Sequence, residues 1–265
     1  MVKAVFFDID GTLLGSSHHL LPGTVDALET MRKQGILTFI SSGRPMVLIP
    51  PMPVAFNGYI TVNGGYCIVG EDVLLQKPID PDDCANWLKY VSDNGKTTMC
   101  FTANDMYINQ IDQTTVSLRD QLGFQMPPLR PLDQLHGLEV YQFIALQPES
   151  DDSKVLQFLP HCRLPRWHPV FSDIIPVGSS KAVGIECIIK HFGIKRDETM
   201  AFGDGANDIE MLEYAGIGVA MGNASEIVKQ HADHVTSDVD DEGIAKALVK
   251  LNVIPSFGRR NNKFY

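Results

Sequence analysis

The stretch Val5-Phe6-Phe7-Asp8-Ile9-Asp10-Gly11-Thr12-Leu13-Leu14 sets the terms for the whole chain. An apolar run ends abruptly in two carboxylates two residues apart, followed by a glycine and a hydroxyl. In extended backbone, residues i and i+2 point to the same side, so Asp8 and Asp10 are expected to face one point in space. Two carboxylates aimed at one spot repel each other unless a cation or a shared proton lies between them. The folded chain must therefore supply positive charge there. Helix caps or turn carboxylates would account for one of the two acids but not for both at a strand end. An EF-hand calcium loop fails as well. It needs glycine at its sixth position and glutamate at its twelfth, where this chain has Leu13 and His19.

Outward from that stretch, residues 3 to 9 read as a strand buried on both faces, the kind found in parallel sheets. Pro22-Gly23 opens a helical pattern carrying Val25, Leu28 and Met31, with Gly35 as its stop. Ile36 to Ile40 reads as a second buried strand, ending in Ser41-Ser42-Gly43-Arg44-Pro45. Strand, helix, strand is a βαβ unit, and ligands of open α/β sheets bind outside the carboxyl ends of the strands. Asp8, Asp10 and Ser42 are thus expected on one rim.

The texture then changes. Tyr59 to Val62, Asn63-Gly64-Gly65 and Tyr66 to Val69 suggest a hairpin. Cys84, Trp87, Leu88 and Val91 share a helical face, stopped by Gly95. Thr97 to Thr102, Met106 to Ile111, Val140 to Gln147 and Phe171 to Ile175 read as strands, with helical segments near 114–122 and 152–159. This α+β region, residues 81–177, is expected to be a cap domain inserted into an α/β core formed by 1–80 and 178–265. The βα texture resumes at Gly178-Ser179-Ser180-Lys181, with Ile185, Ile188, Ile189 and Phe192 on one helical face. Thr199 to Phe202 reads as a third buried strand, ending in Gly203-Asp204-Gly205-Ala206-Asn207-Asp208. A helix with Ile209, Leu212 and Ala215, a strand at 217–221, a short helix at Ile227-Val228 and a last helix burying Ile244, Ala247, Leu248 and Leu251 follow. The polar tail from Ser256, with Arg259, Arg260 and Lys263, is expected to fray. The fold class is α/β, a Rossmann-like three-layer core around a parallel sheet, plus the α+β cap.

Four clusters carry chemistry. Beside Asp8 and Asp10 stand Ser41-Ser42-Gly43, whose hydroxyls and amides after a strand suit a phosphate oxygen. Lys181 follows two candidate N-caps, Ser179 and Ser180, which places it in a first helical turn. A cation is disfavoured there by the helix dipole, so Lys181 is either a bland surface lysine or one that faces a bound anion together with the helix end. The turn Gly203 to Asp208 resembles a dinucleotide loop, but Asp208 stands where the third glycine belongs and would repel a pyrophosphate. Acids at i and i+4 beside a glycine-rich turn suit a hard divalent cation instead, with Asn207 available for a substrate oxygen. The carboxylates Asp8, Asp10, Asp204 and Asp208 ask for a cation with oxygen ligands, best Mg²⁺. Lys181, Ser42 and Asn207 ask for an oxyanion beside it. No P-loop is present to suggest a nucleotide.

Composition narrows the partners. With 32 acidic against 22 basic residues and a net charge of -10 over 265 residues, a nucleic acid or an acidic membrane is disfavoured. Five scattered cysteines without a C-x-x-C pair suit a reduced, cytoplasmic protein. No apolar run approaches a membrane span, the N-terminal one meets Asp8 too soon for a signal peptide, and no obligate protein partner is evident. The eight histidines form no ligand spacing.

Taken together, Asp8-Ile9-Asp10-Gly11-Thr12, Ser41-Ser42-Gly43-Arg44-Pro45, Lys181, Gly203 to Leu212 and Val219 to Ala224 resemble the haloacid dehalogenase superfamily, in its Cof-type sugar-phosphate phosphatases. The resemblance implies that Asp8 is the nucleophile and forms an aspartyl-phosphate, and that Asp10 is the general acid and base. It implies Mg²⁺ held by the Asp8 carboxylate, the Asp10 backbone carbonyl, Asp204 and Asp208. It further implies phosphoryl oxygens held by Ser42, the amides of Ile9 and Gly43, Lys181 and Asn207. A phosphatase of small phosphorylated metabolites, hexose phosphates foremost, is the expected activity. A phosphomutase or phosphotransferase, or a non-catalytic phosphosugar-binding protein, are the alternatives on the same scaffold.

Overall fold

The structure, a computed structural model, describes residues 1–122, 124–166 and 168–256. In chain order its elements are β1 (Ala4–Phe7), α1 (Pro22–Lys33), β2 (Leu37–Ser41), β3 (Gly58–Thr61), β4 (Tyr66–Val69), β5 (Asp72–Gln76), α2 (Pro81–Asp93), β6 (Thr98–Phe101) and β7 (Met106–Ile108). There follow α3 (Gln113–Leu122), β8 (Gln142–Leu146), α4 (Asp152–Leu156), β9 (Cys162–Arg163), β10 (Phe171–Pro176), α5 (Lys181–Phe192) and β11 (Thr199–Gly203). The last are α6 (Ile209–Tyr214), β12 (Ile217–Ala220), α7 (Glu226–Gln230), β13 (His234–Val235) and α8 (Gly243–Lys250). Two compact units result: one gathers Met1–Ile40, Met52–Asn57 and the chain from Phe192 onward, the other Ser41–Pro51 and Gly58–His191. The expected fraying of the tail falls, from residue 257 on, outside the described residues.

The first unit is built on parallel strands in the order β13-β12-β11-β1-β2. Its centre is β1, whose four residues are all buried, as the run of apolar side chains required. Aromatic rings lock it to both neighbours. Phe6 stacks on Phe39 of β2 at 4.9 Å, and Phe7 stacks on Phe202 of β11 at 5.2 Å. Rings stacked at such distances add about 0.5–1.5 kcal/mol each beyond the area they bury. Helix α1 starts with Pro22, whose missing N–H costs nothing at that position, and buries Ala27, Leu28 and Met31. Its N-cap position, Leu21, has no side-chain oxygen. Glu242 fills the gap from far along the chain, accepting hydrogen bonds from Gly23 N (2.7 Å) and Thr24 Oγ1 (3.2 Å).

The second unit holds two antiparallel arrangements. Strands β3, β4 and β5 form a meander, in which the expected hairpin is extended by a third strand. Strands β7-β6-β8-β10-β9 form a sheet whose residues alternate between two apolar faces. Cys100 and Phe143 pack with Trp87, Leu88 and Val91 of α2, while Met99, Phe101 and Ile144 pack with Leu118 of α3. Buried Trp87 donates its Nε1–H to Thr98 Oγ1 (3.0 Å), and that hydroxyl donates to Ile144 O (2.8 Å). Strand β7 stops at Ile108, short of the expected Ile111, because the Asn109 side chain takes the next ladder position by accepting from Thr98 N (2.7 Å). The helix expected at 152–159 ends at Leu156. No helix among the described residues is long and apolar enough to cross a membrane.

The five cysteines are free thiols. Burial, reinforced by the neighbouring Asp83 and Asp80 carboxylates, pushes the Cys84 thiol up to about 12, and burial pushes Cys100 up to about 12 as well. The thiolate is the reactive form. Alkylation at pH 8 is therefore expected to be slow at both cysteines in the folded protein and fast after denaturation, as peptide mass spectrometry of the labelled chain would report.

Candidate active site

In the first unit, Asp8 follows the buried end of β1 and Asp204 follows the end of β11, its parallel neighbour. The ladder continues one step past β1, with Asp8 N donating to Phe202 O (3.0 Å). Asp208 returns on the turn that opens α6. One oxygen from each of Asp8, Asp204 and Asp208 lies within 4.8 Å of the others, with Asp8 and Asp208 buried and Asp204 half-buried. Asp208 also builds its own turn, since its Oδ2 accepts from Asp204 N (3.0 Å) and Gly205 N (2.9 Å). Three converging carboxylates, two of them buried, fit a hard divalent cation such as Mg²⁺ or Ca²⁺, which takes oxygen ligands. Asn207 is half-buried on the same turn.

A tight turn follows Asp8. The extended backbone ends before it: the Ile9 carbonyl accepts from Thr12 N (3.3 Å), Leu13 N (3.0 Å) and Leu14 N (2.8 Å), and Gly11 takes a φ of 81°. Asp8 is buried and Asp10 is exposed, and the Asp10 carboxylate is not among the three grouped oxygens. The Ile9 side chain is fully buried beneath the turn.

In the second unit, the segments that carry Ser42, Gly43 and Lys181 contact one tight turn. Val62, Asn63 and Gly64 all have positive φ (44°, 54° and 84°), which is uncommon for any non-glycine residue and costly for a β-branched one. The turn is held by hydrogen bonds from Val62 N to Arg44 O and from Asn63 N to Ser42 O, both 3.1 Å. Gly64 lies so close to the Ser180 carbonyl that a Cβ would come within 1.9 Å of its oxygen, so no other residue fits. Ser42 is buried, and its Oγ accepts from Arg44 N (3.1 Å), which leaves its own proton to donate elsewhere. Ser180 caps α5 by accepting from Val183 N (3.3 Å), and Lys181, the first residue of that helix, is 1 % exposed. That burial removes the bland surface reading of Lys181.

Asn63 escaped the sequence reading, although an Asn-Gly pair after a strand was a signal for a turn. It is buried, and its Nδ2 donates to Gln142 Oε1 and Asp173 Oδ2, both at 3.2 Å. Thr12 and Asn223 were quoted in motifs but given no role; both bond Asp204, as detailed below. A second acid–histidine group, Asp80, Asp83 and His161, also comes within 4.8 Å. It sits at the N-terminus of α2, where the dipole disfavours a cation, and its acids are already used. Asp80 accepts from Asp82 N (2.9 Å), and buried Asp83 accepts from His161 N (2.9 Å) and Cys162 Sγ (3.4 Å). That group is a helix cap.

A family model for haloacid dehalogenase-like hydrolases matches residues 5–248. The chain is 34% identical over 257 residues to the protein named "Putative phosphatase YkrA" of Bacillus subtilis (strain 168), covering 95% of this chain and 98% of that one. It is 28% identical over 275 residues to the 5-amino-6-(5-phospho-D-ribitylamino)uracil phosphatase YitU of the same strain, covering 92% of this chain and 95% of the relative. Among solved structures it is similar to BT4131, described as a HAD subclass IIB sugar phosphatase. That match has a TM-score of 0.88 and 37% identity over 96% of this chain and 100% of the other. The motifs around Asp8, Ser42, Lys181 and Asp204 thus mark true kinship, and the chain belongs to the haloacid dehalogenase-like hydrolases, as a phosphoric monoester hydrolase of that family.

Proposed function

We propose that the protein is a Mg²⁺-dependent phosphatase of small phosphorylated metabolites, hexose and related sugar phosphates foremost, working through an aspartyl-phosphate on Asp8. The observation that carries this reading is the convergence of Asp8, Asp204 and Asp208 at adjacent strand ends in a chain of this family. The sugar phosphatase BT4131 and the ribityl phosphate phosphatase YitU support the substrate class. Residues 81–177 are proposed as the cap that selects the leaving group, and the free thiols support a reduced, cytoplasmic setting.

Asp8, Asp204, Asp208 and the Asp10 carbonyl would hold Mg²⁺, which when bound lowers the cost of bringing an anionic ester to a carboxylate. The chain's own residues do the rest. An oxygen of Asp8 attacks phosphorus in line, the bond from phosphorus to the ester oxygen breaks, and Asp10 gives that oxygen its proton. Asp10, now ionised, takes a proton from water. The water oxygen attacks phosphorus, and the bond to Asp8 breaks, releasing phosphate and restoring both carboxyl groups. One residue serves both steps because it regains in the second the proton it gave in the first. The exposed position of Asp10 on its turn suits a group that must meet both alcohol and water. Ser42, the amides of Ile9 and Gly43, Lys181 and Asn207 are proposed to hold the phosphoryl oxygens, whose charge spreads as the transition state loosens.

Four outcomes test this reading. A panel of sugar, nucleotide and vitamin phosphates is expected to release inorganic phosphate in proportion to turnover, only with Mg²⁺ present; transfer of phosphate to a second sugar without release would make it a mutase. Asp8→Asn is expected to lower kcat by on the order of 10⁴–10⁶-fold, the scale seen when other hydrolases lose their nucleophile. The acid-quenched wild type should carry phosphate that hydroxylamine removes, and the variant none. Because the three carboxylates repel when no metal is present, Asp8→Asn should also raise the melting temperature in EDTA, an advantage that saturating Mg²⁺ erases.

A further inference from the structure

We infer that Asn223 is a positioning residue for Asp204, fixing that carboxylate and the turn after Asp8 as one rigid piece for the divalent cation; this rests on the metal reading above. Asn223 sits just past β12, the parallel neighbour of β11, where the register sets Ala220 beside Gly203. Its loop is pinned on the backbone: Met221 N donates to Gly203 O (3.0 Å) and Gly222 N to Ser237 O (2.9 Å). From there the side-chain amide reaches three places. Its Oδ1 accepts from Val239 N (3.0 Å), and its Nδ2 donates to Gly11 O (2.8 Å) and to Asp204 Oδ2 (3.3 Å).

The first of these bonds decides the direction of the others. An amide presents a donor at one end and an acceptor at the other. With Val239 N–H claiming the acceptor end, the donor end must face the Gly11 carbonyl and the Asp204 carboxylate; flipped, it would set oxygen against oxygen at both. Thr12 completes the clamp by donating its Oγ1–H to Asp204 Oδ1 (2.9 Å) from a fully buried position. Each oxygen of Asp204 thus has a donor fixing its direction. The fit between turn and carboxylate is close: a Cβ on Gly11 would stand 2.1 Å from Asp204 Oδ2. Asn223 and Thr12 lie 211 residues apart in number yet grip one side chain from opposite ends.

Partners of metal ligands are typically worth about 10–100-fold in metal affinity, and exposed Asn223 belongs at the lower end of that range. The test is Mn²⁺ binding without substrate, followed by electron paramagnetic resonance of the free ion. Asn223→Ala is expected to weaken Mn²⁺ binding about tenfold, and to move the Mg²⁺ activation curve to higher concentration by a similar factor. Wild-type Mn²⁺ affinity in a variant that melts like the wild type in EDTA would overturn the inference while leaving the metal reading intact. Absence of Mn²⁺ binding by the wild type would overturn both. A measurement on the unaltered chain guards against a variant that does not fold. The ¹⁵N-resolved side-chain NH₂ signals of Asn223 are expected to shift when Mg²⁺ is added, and signals that stay fixed at saturation count against the inference.

Discussion

Mutual repulsion among Asp8, Asp204 and Asp208 is the constraint on which the first unit turns. One oxygen of each lies within 4.8 Å of the others, so their negative charges oppose the arrangement unless a cation or a shared proton lies between them. The arrangement persists because the surroundings leave the acids no alternative place. The ladder through Phe202 O fixes Asp8, two amides of its own turn fix Asp208, and Thr12 with Asn223 fixes Asp204. The stacked rings of Phe7 and Phe202 weld the strands that carry them. A divalent cation among the three oxygens would relieve that repulsion.

The second unit solves the opposite problem, a buried cation. Lys181 begins a helix whose own dipole works against it, in a position closed to water. Its backbone is braced by the left-handed turn at Val62–Gly64, which is in turn braced by the carbonyls of Ser42 and Arg44. Strain in that turn is not a local accident. The same backbone conformation sends the Asn63 side chain to Gln142 and Asp173 in the antiparallel sheet. A side chain at the head of a hairpin thereby ties the donor loop to the strands proposed to select the substrate.

Much of this was legible in the residues. Apolar runs that stop at Asp8, at Ser41 and before Asp204 announced parallel strands, because burial on both faces leaves a continuous apolar signature. Ser180 before Lys181 announced a helix start, and the structure caps it there. Other features left no trace. Strand β5 is largely exposed and has no buried face to impose alternation, so nothing marked it as a strand. The turn after Asp8 was misread as extended because three amides folding onto the Ile9 carbonyl have no signature beyond one glycine. Asn223 on Gly11, Thr12 on Asp204 and Glu242 on Gly23 act across some two hundred residues, and a local pattern cannot register them.

The central place of β1 also has a temporal side. Its ladder with β2 can close as soon as Ser41 has been made, but its other neighbour, β11, begins only at Thr199. With chains growing at about 5–20 residues per second, that interval lasts roughly ten to thirty seconds. Throughout it, the most apolar strand of the first unit offers an open edge, the template on which other chains pair. A newborn chain of this protein therefore carries Asp8, its proposed nucleophile, on an unfinished sheet, and keeping that edge from strangers is a task for the cell before it is one for the fold.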